Sequence, residues 1–177
     1  AAKRSDREAS EGCVLVKVAD GFGAIIALKC ETDFVAKNED FIKLTQNILD
    51  AAVANKCKTL EEVQALPMGD VTIAQAVTDR SGITGEKMEL DGYMTLEGPA
   101  IATYNHQGKN FLCTMVALSK EVDPKVGHEV AMQVAAMNPI AVDEAGVPAD
   151  VLEKEKETAA DNARQEGKPE NMIEKIA

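Results

Sequence analysis

The chain reads as an α+β protein. The expected fold has two related subdomains, each with a small antiparallel sheet packed on helices, plus a protruding helical hairpin at the C-terminal end. Three observations predict it. Two apolar runs, Cys13–Val18 and Ala24–Leu28, flank Asp20-Gly21-Phe22-Gly23, a hairpin signal in which Gly supplies positive φ. From Asn38 the apolar residues recur at helical spacing instead. A weak internal repeat completes the pattern: Phe22–Val53 reads turn, strand, acid-containing loop, helix, and Lys109–Met137 repeats that order, with Pro124 where the first copy has Phe34.

Taken in order, residues 1–11 are polar and charge-balanced and form the expected linker. An N-terminal core subdomain is expected over 12–83. After its hairpin, Phe41, Leu44, Ile48, Leu49, Ala52 and Val53 mark a helix face, with Asn38 as N-cap. Thr59-Leu60-Glu61-Glu62 has capping-box spacing for a short helix ending before Pro67. A further helix is expected from about Asp70 to Gly82, with that glycine as its stop.

A C-terminal core subdomain is expected over 84–147. Strand patterns run from Lys87 to Leu118, broken at Gly98-Pro99 and Asn105-His106-Gln107-Gly108. Val126, Val130, Val134 and Met137 then mark a helix that Pro139 ends. Residues 148–177 read as a partial helical hairpin, two exposed helices joined at Gly167-Lys168-Pro169 and too poor in apolar surface to stand alone. The start without Met, and a helical pattern running to the last residue, read as a piece of a longer polypeptide.

Composition narrows the function. With 177 residues, 45% apolar, no Trp, two Tyr and four Phe, the core must be aliphatic. A net charge of −11 repels phosphate backbones and anionic lipid, so neither nucleic acid nor membrane is an expected partner. The four cysteines form no Cys-x-x-Cys pair and neither His is spaced to join them, so no metal and no cofactor are expected. Free thiols and the lack of a targeting segment suit a cytoplasmic protein. Gly85-Glu86-Lys87 lacks the spacing of a phosphate loop, and Cys30 with His106 has no context of a nucleophile and base. No catalytic residue is assigned, and the chain is not expected to be an enzyme.

The most informative stretch is Cys30–Phe41, where Thr32-Asp33-Phe34-Val35 puts a large aromatic at a strand-to-helix junction. From the residues alone, Phe34 either caps its own hairpin against Phe41 or docks into a partner. Asp33 is a helix-entry cap or a functional acid, and His106 an exposed turn residue or a partner contact.

Glu31–Phe41 resembles the Thr-Asp-Phe-Val signature of the bacterial elongation factor Ts family, the guanine-nucleotide exchange factors for elongation factor Tu. Other segments resemble it too. They are Ala2-Lys3-Arg4 with Arg7 and Glu11-Gly12 (basic linker), Thr84–Met88 (start of the second subdomain), Tyr104-Asn105-His106 (a Tyr-x-His turn), His128–Ala136 with Pro139, and Gly167-Lys168-Pro169 (hairpin tip). The resemblance covers linker, core and most of the hairpin, without the ubiquitin-associated-like helical domain that the family places first. Thr84 departs from an apolar contact residue, Gln133 from a His, and Asp91-Gly92 stands where the family usually has Arg.

The resemblance implies a guanine-nucleotide exchange factor in translation elongation, with the GTPase elongation factor Tu as partner. The implied partner-binding residues are Thr32, Asp33, Phe34, Val35, Thr84, Gly85 and His106, with Phe34 inserted near the partner's Mg²⁺ and phosphates. The alternative is a structural or oligomerisation module that binds the partner without exchange activity. Monomer and homodimer are both left open.

Overall fold

The computed structural model describes residues 4–177, so Ala2 and Lys3 of the expected basic linker lie outside the described residues. The architecture is α+β, with small antiparallel sheets packed on helices, in two compact units. The first unit ends at Met137 and the second spans Asn138–Ala177.

Strands β1 (Glu11–Ala19) and β2 (Phe22–Cys30) pair antiparallel from Ala19↔Phe22 to Glu11↔Cys30. Only Asp20 and Gly21 form the turn, both with positive φ (52° and 72°), the two-residue type that matches strand twist. Phe22 and Gly23, expected in the turn, are therefore the first residues of β2, and the Phe22 ring is buried.

A single-turn helix α1 (Asp33–Ala36) leads into α2 (Glu39–Ala54), which packs across β1 and β2. Asn38 caps α2 as expected, its side-chain oxygen accepting from the backbone N–H of Asp40 and Phe41. The buried face is Phe41, Thr45, Ile48, Leu49, Ala52 and Val53. Leu44 is only half-buried; Thr45 lies deeper, its hydroxyl donating to the Phe41 carbonyl at 2.9 Å and so losing no hydrogen bond on burial.

Helix α3 (Leu60–Ala65) begins at the expected cap, Thr59 accepting from Glu62 N–H, while the Glu62 carboxylate reaches back to Lys58 N–H rather than Thr59. Two short strands, β3 (Pro67–Met68) and β4 (Val71–Thr72), then form a miniature hairpin. This hairpin takes up Asp70, so α4 (Ile73–Thr84) starts later than expected, with Thr72 as N-cap. It also ends later. Gly82 stays helical, and Gly85, at φ 76°, is the left-handed stop.

Strand β5 (Glu89–Glu97) pairs with β2, giving a three-stranded sheet in the order β1-β2-β5. The register shifts between Ala27 and Leu28, leaving Asp91 unpaired as a bulge, and its carboxylate meets Lys29 Nζ at 2.8 Å. A Cβ on Gly92 would sit 2.8 Å from the Ala27 Cβ, so the strands approach this closely only with glycine there.

Strands β6 (Ala100–Asn105) and β7 (Cys113–Leu118) form a second hairpin, and α5 (Pro124–Met137) packs on it. Asn110 C=O accepts from Val14 N–H at 2.8 Å and ties this hairpin to β1. The helix presents Gly127 and Ala131 to the sheet, while Val126 and Val130 are exposed. A Cβ at Gly127 would come within 3.0 Å of the Ala102 Cβ, so small residues set the approach and the larger valines turn outward.

In the second unit, α6 (Ala149–Gln165) and α7 (Glu170–Ile176) join through Gly167 at φ 75° and bury Ala163 and Ile173. Among the described residues, no helix is long and apolar enough to cross a membrane.

Candidate functional site

The junction between β2 and α2 is built from both ends. On its inner side, Val35 and Ala36 pack against the core. On its outer side the Phe34 ring is 84% exposed, which removes the reading in which it caps its own hairpin. Phe41 fills the core instead.

Thr32 caps α1: its Oγ1 accepts from Val35 N–H and donates to Glu86 Oε1 at 2.6 Å. Glu86 Oε2 accepts from the backbone N–H of Glu31 and of Thr32, each at 3.1 Å. In return, Glu31 Oε1 accepts from Lys87 N–H and, at 3.3 Å, from Arg7 Nη1. Two carboxylates thus exchange partners across two loops distant in sequence.

Asp33 in the first turn of α1 pairs with Lys37 at 3.0 Å, and that lysine holds its carboxyl below the usual carboxylate range. The acid also lies at the favourable end of the helix dipole. The Lys87 N–H, with Arg7, likewise holds the Glu31 carboxyl low.

Thr84 and Gly85 end α4. Thr84 Oγ1 donates to Arg80 C=O and accepts from Glu86 N–H, while Ser81 Oγ donates to Glu86 C=O at 2.6 Å. The Gly85 carbonyl accepts from Arg7 Nη1 at 3.3 Å. Thr32, Asp33, Phe34, Val35, Thr84 and Gly85 therefore share one corner, joined through Glu86.

His106 belongs to a different structural neighbourhood. It is exposed at the tip of the β6–β7 hairpin, where its N–H donates to Leu112 C=O and its Nδ1 lies 3.1 Å from Tyr104 Oη. Tyr104 in turn meets the His128 ring edge-on at a centroid distance of 5.3 Å. None of these contacts reaches the Thr32–Val35 turn.

Sequence reasoning missed Glu31, Arg7, Glu86 and Lys87 as supports of the site. The two loops carry acids, but no local pattern says which amides those acids will meet. Cys30 donates its thiol to Thr32 C=O at 3.2 Å. Burial, reinforced by Glu86, pushes that thiol up to about 12, so it stays protonated and serves as a donor. What the corner offers chemically is a fixed apolar projection beside an ion pair, with its charged groups already engaged.

Comparison with known proteins places this corner within a matched region. The family described as Elongation factor TS matches residues 31–177. Elongation factor Ts of Bacteroides fragilis is 75% identical over 166 residues, 94% of this chain and 50% of that relative. Elongation factor Ts of Phocaeicola vulgatus is 69% identical over the same length and shares. Elongation factor Ts of Porphyromonas gingivalis is 51% identical over 178 residues, covering 100% of this chain and 65% of that relative. The chain spans about half the length of the first two relatives.

Proposed function

Because this chain belongs to the elongation factor Ts family, we propose that it promotes GDP release from elongation factor Tu, with Phe34 entering the partner near its Mg²⁺ and phosphates. The observation that carries this reading is the 84% exposure of a large ring on a turn whose base is bonded and packed. A large ring held outward on a braced turn, inside the stretch that resembles the family signature, suits insertion into a partner. Thr32, Asp33 and Val35 frame the ring, Thr84 and Gly85 extend the same surface, and His106 makes a second contact from the neighbouring hairpin.

The mechanism follows from differential binding. Nucleotide on a GTPase is held by phosphate contacts and by Mg²⁺, whose octahedral shell tolerates little distortion. Burying ~150–250 Å² of ring at ~25 cal/mol per Å² contributes roughly 4–6 kcal/mol before ordering costs. That is enough to favour a partner state in which the Mg²⁺ and phosphate contacts fail. Reciprocity then requires nucleotide to weaken the partner's hold on this chain by the same factor. The empty partner is bound best, and incoming nucleotide releases it. No covalent bond is made or broken.

Stopped-flow release of labelled GDP from elongation factor Tu tests the proposal. The chain accelerates release, and Phe34→Ala lowers that acceleration by about 30-fold or more at equal concentration, with circular dichroism and unfolding midpoint unchanged. Equal rates for the two chains would overturn the role of the ring. Binding without acceleration by the unaltered chain would instead identify a structural module.

A further inference from the structure

We propose that Glu86 is a positioning residue for Phe34: together with Glu31 it forms a reciprocal clamp that holds the Thr32–Ala36 turn in its presenting geometry. The inference rests on the exchange reading above. Helix α1 has four residues, far below the roughly 12–15 at which an isolated helix becomes even marginally stable. Its conformation must be imposed from outside. Val35 and Ala36 on the core fix one side, but two apolar contacts do not set the direction in which the next ring points.

Glu86 supplies the missing constraint. Its carboxylate takes three donors from the residues that enter α1: Glu31 N–H, Thr32 N–H and Thr32 Oγ1–H. Bonds to an ionised acceptor are stronger and shorter than neutral ones. Glu86 is itself held at its own backbone, by Thr84 Oγ1 at the N–H and by Ser81 Oγ at the carbonyl. Those anchors sit at the end of α4, whose Ile73 and Val77 belong to the core. The Glu31 carboxylate answers from the other loop by taking Lys87 N–H. The base of the Phe34 turn is thereby referenced to α4 rather than to its own short helix.

The test compares Glu86→Ala, Glu86→Gln, Phe34→Ala and the double variant in the full chain. Glu86→Ala removes all three acceptor contacts and lowers acceleration of GDP release by about tenfold at subsaturating concentration. Glu86→Gln restores most of it, since the amide oxygen can accept both N–H groups while its NH₂ donates to Thr32 Oγ1. Hydrogen exchange of the Glu31 and Thr32 amides quickens in Glu86→Ala, while the Ile26 amide in β2 keeps its protection. Because Glu86 acts through the ring, the double variant is no slower than Phe34→Ala alone.

Unchanged release by Glu86→Ala, beside a defective Phe34→Ala, would overturn the positioning role and leave the exchange reading intact. Losses that multiply in the double variant would also overturn it. Full activity of Phe34→Ala would overturn the role of the ring and the positioning role with it, whereas no acceleration by the unaltered chain would overturn the exchange reading itself, a result that needs no Glu86 variant.

Discussion

Phe34 and Phe41 lie close in sequence, yet one is 84% exposed and the other fully buried. The difference comes from what each neighbours: Phe41 starts the apolar face of α2, whereas Phe34 sits opposite Val35 and Ala36 on a turn whose inner side is already filled. The charged groups at this corner are equally individual. Lys87 N–H and Arg7 hold the Glu31 carboxyl below the ordinary glutamate range, so its folded-state pKa lies under the unfolded value of about 4.3. The stability this contributes is present above that pH and is lost as pH falls through the folded value. Unfolding midpoints should therefore favour the unaltered chain over Glu31→Gln at pH 6, and the gap should narrow as the pH falls below the unfolded value and through the lower folded one. A gap that widens on acidification would show that the carboxylate is not the stabilising form. Phe34 and the neighbouring Asp33 were legible as candidates because an aromatic at a polar junction is conspicuous, and Thr32 because the segment resembles the family signature. Glu86 was not, because its role depends on which amides lie across a gap that no short-range pattern spans.

At the scale of elements, caps were easier to read than lengths. Asn38 and Thr59 satisfy the backbone N–H groups expected of them, since a cap is a local contract among four residues. Asn38 carries more than its own helix: its Oδ1 also accepts from Arg80 Nη2 at 3.1 Å. Asn38→Ala should cost about 1–2 kcal/mol, the upper part of the usual cap range, measured by urea unfolding with the m-value unchanged. A loss below a few tenths would show that none of the three bonds to Asn38 Oδ1 matters. Helix ends were less legible. Gly82 and Gly85 look alike in sequence, and α4 continues through the first because Ser81 C=O and Arg80 C=O find partners beyond it, in Gly85 N–H and Thr84 Oγ1. The buried face of α5 was not legible either. Valine periodicity marks the helix, but the sheet beneath accepts only Gly127 and Ala131 at that separation.

Within the first unit, a largely aliphatic core joins β1, β2 and β5 to α2, α3 and α4, with Phe22, Ile26, Phe41, Ile48 and Leu49 among its fully enclosed side chains. Ile48→Ala should destabilise the fold by about 2–5 kcal/mol, as core truncations do, and urea unfolding would show it. A loss under 1 kcal/mol would mean that the surrounding helix and sheet collapse into the space. The four cysteines are free and buried, and burial pushes Cys13 and Cys113 up to about 11, so these thiols stay protonated. Residue periodicity, turn chemistry and caps were enough to establish the α+β class, the first hairpin, the long helix behind the signature and the helical pair at the end, because each depends on neighbours within a few positions. Long-range geometry alone settled that β5 joins β2, that a bulge at Asp91 lets it do so, and that Glu86 reaches the turn carrying Phe34. Those outcomes depend on distances between segments far apart along the chain, and only a packed backbone supplies them.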